Sequence, residues 1–172
     1  VRLAFGNDQL WAIWTAQRIP HAGSGFGPDA VTIGVVDKHE MPVGCVVFNS
    51  YVPHPAGGNI MVSFASEKRN WLTRNLISDI LRYPFSQLGC GRITALVPPS
   101  ATNATQFLEK MGWKREGCIR LGYGDQDAVV WGLLASEWRW NRFNVDRSVE
   151  RPKKRRRRRR GTLHLREGAP LH

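Results

Sequence analysis

Cysteine is scarce and scattered. The 172 residues hold three, Cys45, Cys90 and Cys118, with no C-x-x-C spacing. That speaks against a disulfide framework or a cysteine zinc site and points to a reducing, cytosolic setting. Long apolar runs are lacking too. The longest nearly apolar stretch, Ala128 to Ala135, falls far short of the roughly 20 residues needed to cross a bilayer, and no signal-peptide pattern opens the chain. A soluble, intracellular protein is expected. There is no internal repeat, and His39-Glu40 lacks the second histidine of a zinc hydrolase motif, so no metal is expected. Acidic residues are few, 14 against 25 Lys and Arg, for a net charge of +11. The imbalance is local, because residues 151–172 carry ten Lys and Arg against one Glu, which leaves residues 1–150 at +2. The basicity belongs to the end of the chain and not to the fold.

Apolar material, by contrast, is ample. Hydrophobic residues make up 42% of the chain and seven are Trp, enough for one self-supporting core. Residues 1–145 read as one domain and 146–172 as a disordered basic tail, since Lys153-Lys154 and the arginines at 155–160 repel one another and bury nothing. Asn7 or Asp8 is placed to cap a helix with Leu10, Trp11, Ile13 and Trp14 on its apolar face. Ala30–Val36 and Val43–Val52 read as antiparallel strands around a tight turn, and Ile60–Ala65 as a third strand. From 69 to 83 the period changes: Leu72, Leu76, Ile77, Ile80 and Leu81 recur at helical spacing until Pro84. Arg92–Val97 reads as a strand, Asn103–Met111 as a helix closed by Gly112, and Trp113–Leu121 with Asp127–Leu134 as a hairpin. Ser136–Asn141 adds a terminal helical turn. This order implies an α/β (α+β type) fold, a mixed central sheet with helices on its faces.

Three stretches carry a resemblance. They are Lys68–Arg74 with Trp71-Leu72-Thr73-Arg74; Tyr83-Pro84-Phe85, Gln87-Leu88-Gly89-Cys90 and Arg92-Ile93-Thr94-Ala95; and Gln106 to Gly117 with Met111-Gly112-Trp113 and Glu116-Gly117. In these the chain resembles the GNAT N-acetyltransferases, most closely the branch of ribosomal-protein N-terminal acetyltransferases and their phage and prophage relatives. The resemblance implies a splayed pair of parallel strands, here Ile60–Ala65 and Arg92–Val97, with the pantetheine arm of acetyl-CoA between them. It implies acetyl transfer to an amine: a protein N-terminus, a lysine, a small molecule or a nucleobase. The setting it implies is a bacterial host cytoplasm or a virion.

Elementary physics supports an anion seat at that place. Amides of residues 71–74 open a helix at the positive end of its dipole, where a diphosphate binds well. The expected cofactor-binding residues are therefore Arg69, Asn70, Trp71, Leu72, Thr73 and Arg74, with main-chain groups of Ser63, Phe64 and Ala65 along the splayed strand. Asn103 is a further candidate, beside its alternative as an N-cap. The sequence departs from the family pattern at four positions. Trp71 and Thr73 replace loop glycines, Ala101 stands at an expected Asn, and Leu108 at an expected acid Tyr. Glu67, His54 and His21 are candidates for the general base, and Tyr123 for the acid. Their alternatives are a helix N-terminal carboxylate, loop histidines and a turn filler.

Other groupings read as structural. Gly23-Ser24-Gly25-Phe26-Gly27 is a loop, because a dinucleotide fingerprint needs a strand before it and a helix after. Asp125 and Asp127 are turn formers. Trp131, Trp138 and Trp140 pack, although Trp138-Arg139-Trp140-Asn141-Arg142-Phe143 also suits stacking on bases. The run at residues 151–160 is expected to bind nucleic acid without sequence preference. The alternative to an enzyme is a catalytically silent module of the same fold, anchored on nucleic acid by that run.

Overall fold

The structure is a computed structural model that describes residues 1–20, 22–23, 25–139 and 141–145. The candidate base His21, Trp140 and the basic tail 146–172 lie outside the described residues.

Seven strands form one sheet in the order β1-β2-β3-β4-β5-β7-β6. In chain order they are β1 (Arg2–Ala4), β2 (Val31–Val36), β3 (Pro42–Val52), β4 (Asn59–Ser66), β5 (Arg92–Val97), β6 (Lys114–Ile119) and β7 (Ala128–Leu134), with helices α1 (Asp8–Ala16), α2 (Arg74–Arg82), α3 (Thr102–Lys110) and α4 (Ala135–Trp138). All neighbours pair antiparallel except β4 and β5. The expected mixed sheet with helices on both faces is what forms. No described helix is long and apolar enough to cross a membrane.

Alternation along β3 divides the core. Cys45 and Val47 face α1 with Trp11, Trp14 and Phe26. Val46 and Phe48 face the other way, toward Ile77, Ile80 and Leu81 of α2 and Leu108 of α3, and a register shift that skips Val43 puts it in that layer too. Successive strand residues point to opposite faces, so one hydrophobic run serves both layers. Trp131 and Trp138 are buried as expected, and Trp138 stacks on Phe85 with ring centroids 6.1 Å apart. The β2–β3 turn is held by the Asp37 carboxylate, which accepts from the amides of His39 (2.9 Å) and Met41 (3.2 Å).

Several boundaries differ from expectation. β1 was not foreseen; three residues are too few for alternation to show. Asn7 occupies the N-cap of α1 without a side-chain cap bond, and the Asp8 carboxylate instead accepts from the amide and hydroxyl of Thr32 in β2, at 2.6 and 2.8 Å. α2 begins at Arg74, not at residues 69–71, with Thr73 as N-cap. It runs into a π turn over Tyr83–Gln87, closed by the Leu88 amide on the Tyr83 carbonyl at 3.0 Å. Pro84, which has no N–H to give, is buried there, so the helix widens before it stops. The N-cap of α3 is Ala101, and Asn103 is that helix's second residue, so the capping role expected of Asn103 is not realised. The last helix is Ala135–Trp138, shorter than the span 136–141.

Candidate functional site

β4 and β5 pair only at their starts. The parallel register runs Asn59–Arg92, Ile60–Ile93 and Met61–Thr94 and goes no further. β4 stays paired with β3 up to Ser66, and the Glu67 amide still donates to the Val43 carbonyl at 3.0 Å. β5 stays paired with β7 up to Val97. Each strand thus follows its outer neighbour and the two part. Main-chain groups on the inner edge of residues 62–66 have no strand partner among the described residues. An angle of this kind offers free donors and acceptors to an extended ligand.

Side chains lock the base of the angle. The Thr94 hydroxyl lies 2.9 Å from Asn59 Oδ1 and accepts from Arg92 Nε at 3.1 Å, and Arg92 pairs with Glu116 of β6 at 2.6 Å. This chain ties three strands, β4, β5 and β6, together below the point of divergence.

Above that point lies a cleft of about 910 Å³, within the roughly 300–1,000 Å³ typical of ligand pockets. One wall is the end of β4 and the loop to α2, from Phe64 through Leu72. The facing wall is α3, with Asn103, Gln106, Phe107 and Lys110, and Phe143 of the C-terminal segment also lines it. Phe64 meets Phe107 across the cleft with ring centroids 5.2 Å apart. Phe64, Leu72, Ile77, Phe107 and Met111 also line a small apolar void of about 30 Å³ beneath, so they form its roof.

The loop before α2 explains its unusual residues. Trp71 and Thr73 are not among the residues with positive φ, and Thr73 is extended at φ −82°, ψ 164°. No glycine is needed at these positions. The Trp71 ring is buried on Gly44 of β3, where an added Cβ would stand 2.1 Å from Trp71 Cε3. Thr73 Oγ1 accepts from the Leu76 amide at 3.3 Å, and the Ile77 amide reaches the Thr73 carbonyl at 3.0 Å. Helix geometry leaves the amides of Arg74 and Asn75 without an intrahelical acceptor. The free amides that open the helix are therefore those of 74–75, at the end of the expected 71–74, because Trp71 and Leu72 precede the helix.

Of the expected cofactor-binding residues, Phe64, Ala65, Arg69, Asn70, Trp71, Leu72 and Asn103 line the cleft. Ser63, paired with Val47 of β3, Thr73, the cap, and Arg74, the first residue of α2, are not among its lining residues. Glu67 lines the cleft but is no helix carboxylate; its Oε1 accepts from Arg18 Nε at 2.7 Å, and that guanidinium lies 3.9 Å from the Trp14 ring centroid. His54 is removed from the site. It precedes β4, at the opposite end of the strand from the cleft, and its Nδ1 accepts from the Ala56 amide. Tyr123 sits in the β6–β7 hairpin, half-buried, its hydroxyl's ionisation pushed up by burial, and is not among the cleft's lining residues. Leu108, at the position of the resembling family's acid, is 1% exposed and faces the inner void. Asp127 binds the Leu121 amide at 2.9 Å, as a turn former does.

Sequence reading assigned no role to Gly44, Phe107, Lys110 or Phe143. The aromatic-arginine interleaving before the tail was the one signal for Phe143; nothing local marks Gly44 as a shelf.

No protein-family model matches the sequence, and no curated protein matches it. Solved structures do. The spermidine/spermine N-acetyltransferase SpeG of Vibrio cholerae is 16% identical with a TM-score of 0.59, over 80% of this chain and 94% of that one. A ribosomal-protein-alanine acetyltransferase from Vibrio fischeri is 14% identical, TM-score 0.58, over 79% and 93%. RimJ of Mycobacterium smegmatis, solved with CoA-disulfide, is 15% identical, TM-score 0.52, over 63% and 54%. At these identities the likeness establishes the fold: the chain has the architecture of the GNAT N-acetyltransferases.

Proposed function

We propose that the protein is an acetyl-CoA-dependent N-acetyltransferase acting on an amine. The observation that carries this reading is the parting of β4 from β5 after Met61 and Thr94, with a ligand-sized cleft at the divergence. The residues present fit the cofactor. Free amides of Arg74 and Asn75, with the guanidinium groups of Arg69 and Arg74, suit a diphosphate. The open edge of β4 suits the amide-bearing pantetheine arm, and Phe64, Leu72 and Phe107 give it an apolar bed. When bound, acetyl-CoA supplies an activated acyl group on a thiol leaving group.

The main-chain N–H of Phe64, the one within Ser63–Ala65 that alternation turns to the unpaired edge, polarises the acyl carbonyl without help from side chains. Glu67, the carboxylate on the cleft wall, takes the acceptor amine's surplus proton, which requires its pairing with Arg18 to loosen. Tyr123 reaches this chemistry only through movement of its hairpin, so the departing sulfur draws its proton from water. The acceptor class stays as broad as a protein terminus, a lysine, a small molecule or a nucleobase, in the branch that resembles ribosomal-protein acetyltransferases and their phage relatives. Residues 151–160 are read as a nucleic-acid anchor.

The test is transfer of labelled acetyl from acetyl-CoA to a panel of peptide, polyamine and nucleobase amines. Turnover is expected with at least one class, and Glu67→Gln is expected to lower kcat by about a hundredfold without weakening CoA binding. A second reading, a silent module of this fold, is favoured by the buried Leu108 at the acid position and by the Phe64–Phe107 contact across the cleft. CoA binding without turnover on any amine would support that reading; turnover that Glu67→Gln leaves intact would remove Glu67 from the chemistry.

A further inference from the structure

Two hydrogen-bond donors are stranded inside the domain. Among the described residues, the buried side-chain nitrogens and oxygens left without any partner are the indole Nε1 groups of Trp113 and Trp131, both shut off from water. The two residues are 6% and 4% exposed. A buried donor with no acceptor is costly, and native folds rarely keep one without a reason. Here the two share a place. Trp113, Trp131 and Val129 line one pocket of about 410 Å³, with Thr105, Glu109 and Arg115 around them, and that volume suits a small ligand.

Helix α3 separates this pocket from the cleft described above. Asn103, Gln106, Phe107 and Lys110 line the cleft, whereas Thr105 and Glu109 line the pocket, as helical periodicity sorts these positions to different sides. Arg115 comes from β6, where it stands directly across from Trp131 of β7 and so shares its face of the sheet. Neither charge is answered: Glu109 has no cation and Arg115 no carboxylate among the described residues. Lys38, Arg82 and Arg120 also lack a carboxylate, but they line neither this pocket nor the cleft. Arg69 and Lys110 line the cleft, where the carboxylate, Glu67, is already held by Arg18. What sets Arg115 apart is that an unpaired acid and two unpartnered donors share its pocket.

We propose that this pocket is a second binding site, for a small zwitterion of the amino-acid class, with the ligand's carboxylate on Arg115 and its ammonium on Glu109. The guanidinium fork matches a carboxylate, and both bonds are charge-assisted. The indoles supply the further donor that the carboxylate's remaining oxygen sites accept. Neither indole N–H has a bond to give up, so a ring that turns toward the ligand oxygen gains one and breaks none. Val129 and the ring faces bed the ligand's apolar part. A bare acid or a bare amine would answer one charge and leave the other. The site lies across α3 from the cleft and does not depend on the cofactor reading.

The experiment follows the indole N–H resonances of Trp113 and Trp131 in the isotope-labelled full chain while each proteinogenic L-amino acid is added in turn to millimolar concentration. Acetate and methylammonium are added in parallel as the separate halves of the zwitterion. At least one amino acid is expected to move one or both resonances saturably, whereas acetate and methylammonium move neither. Arg115→Gln and Glu109→Gln, both at exposed positions, are each expected to weaken that amino acid by at least about tenfold and to leave the rest of the spectrum in place. Indole resonances that no amino acid moves, or that acetate alone moves as far, overturn the proposal, as does native affinity in either variant. None of these results bears on CoA binding, which the cleft residues report separately.

Discussion

Trp71 stands where a glycine is usual in the resembling loop, and the compensation is found 27 residues earlier in Gly44. The bare backbone of Gly44 gives the indole a flat shelf, and the indole in turn fixes the approach to α2. Gly44→Ala would place a methyl group inside the ring's contact distance. Overpacking of this kind is expected to cost about 1–3 kcal/mol. Urea unfolding followed by tryptophan fluorescence checks it, with a lowered midpoint expected at unchanged slope; an unchanged midpoint would mean that the ring has room to move. Such pairings are invisible locally. Glu67 shows the same limit, because its partner Arg18 lies 49 positions away and sequence spacing suggested a helix-terminal carboxylate instead. Phe107 stands within the stretch Gln106 to Gly117, yet its place on the cleft wall depends on the angle at which α3 returns over the sheet.

Elements with a full period were legible, and short or mixed ones were not. β2, β3, β5 and β7 carry runs of β-branched residues, and α2 shows its apolar stripe at 76, 77, 80 and 81, so their existence follows from pattern. The start of α2 did not, because Trp71 and Leu72 continue an apolar pattern although the helix has not yet begun there; Thr73 with its hydroxyl on the Leu76 amide is the true boundary. The far edge of the sheet offers a test of how elements are tied. Lys114 of β6 pairs with Glu137 of α4. The Lys114 ammonium, aided by the Leu134 amide, holds the Glu137 carboxyl below its ordinary value of 4.5, and Glu137 raises Lys114 above its ordinary 10.5. A depressed carboxylate stabilises the fold above its unfolded value and loses that contribution as pH falls through the folded value; a raised ammonium contributes below its unfolded value and loses it as pH rises through the folded one. Glu137→Gln should therefore flatten the acid limb of a stability profile taken from about pH 5 to pH 3, and the alkaline limb above about pH 10. Profiles that match the native chain on both limbs would show the pair to be without consequence.

At the scale of the molecule, seven strands and three helices of nine residues serve to hold one angle open. The antiparallel partners β3 and β7 draw β4 and β5 apart, while the Asn59–Thr94–Arg92–Glu116 chain keeps them joined below. The splayed pair was expected from resemblance, and the strands named for it are the ones that part. The most direct test of the account is amide chemical-shift mapping of the full chain as CoA is added. The largest shifts are expected at residues 62–66 along the open edge of β4 and at 69–75 in the loop and first turn of α2. Shifts confined to other surfaces, or none at millimolar CoA, would contradict the assignment of this cleft to an acyl-CoA.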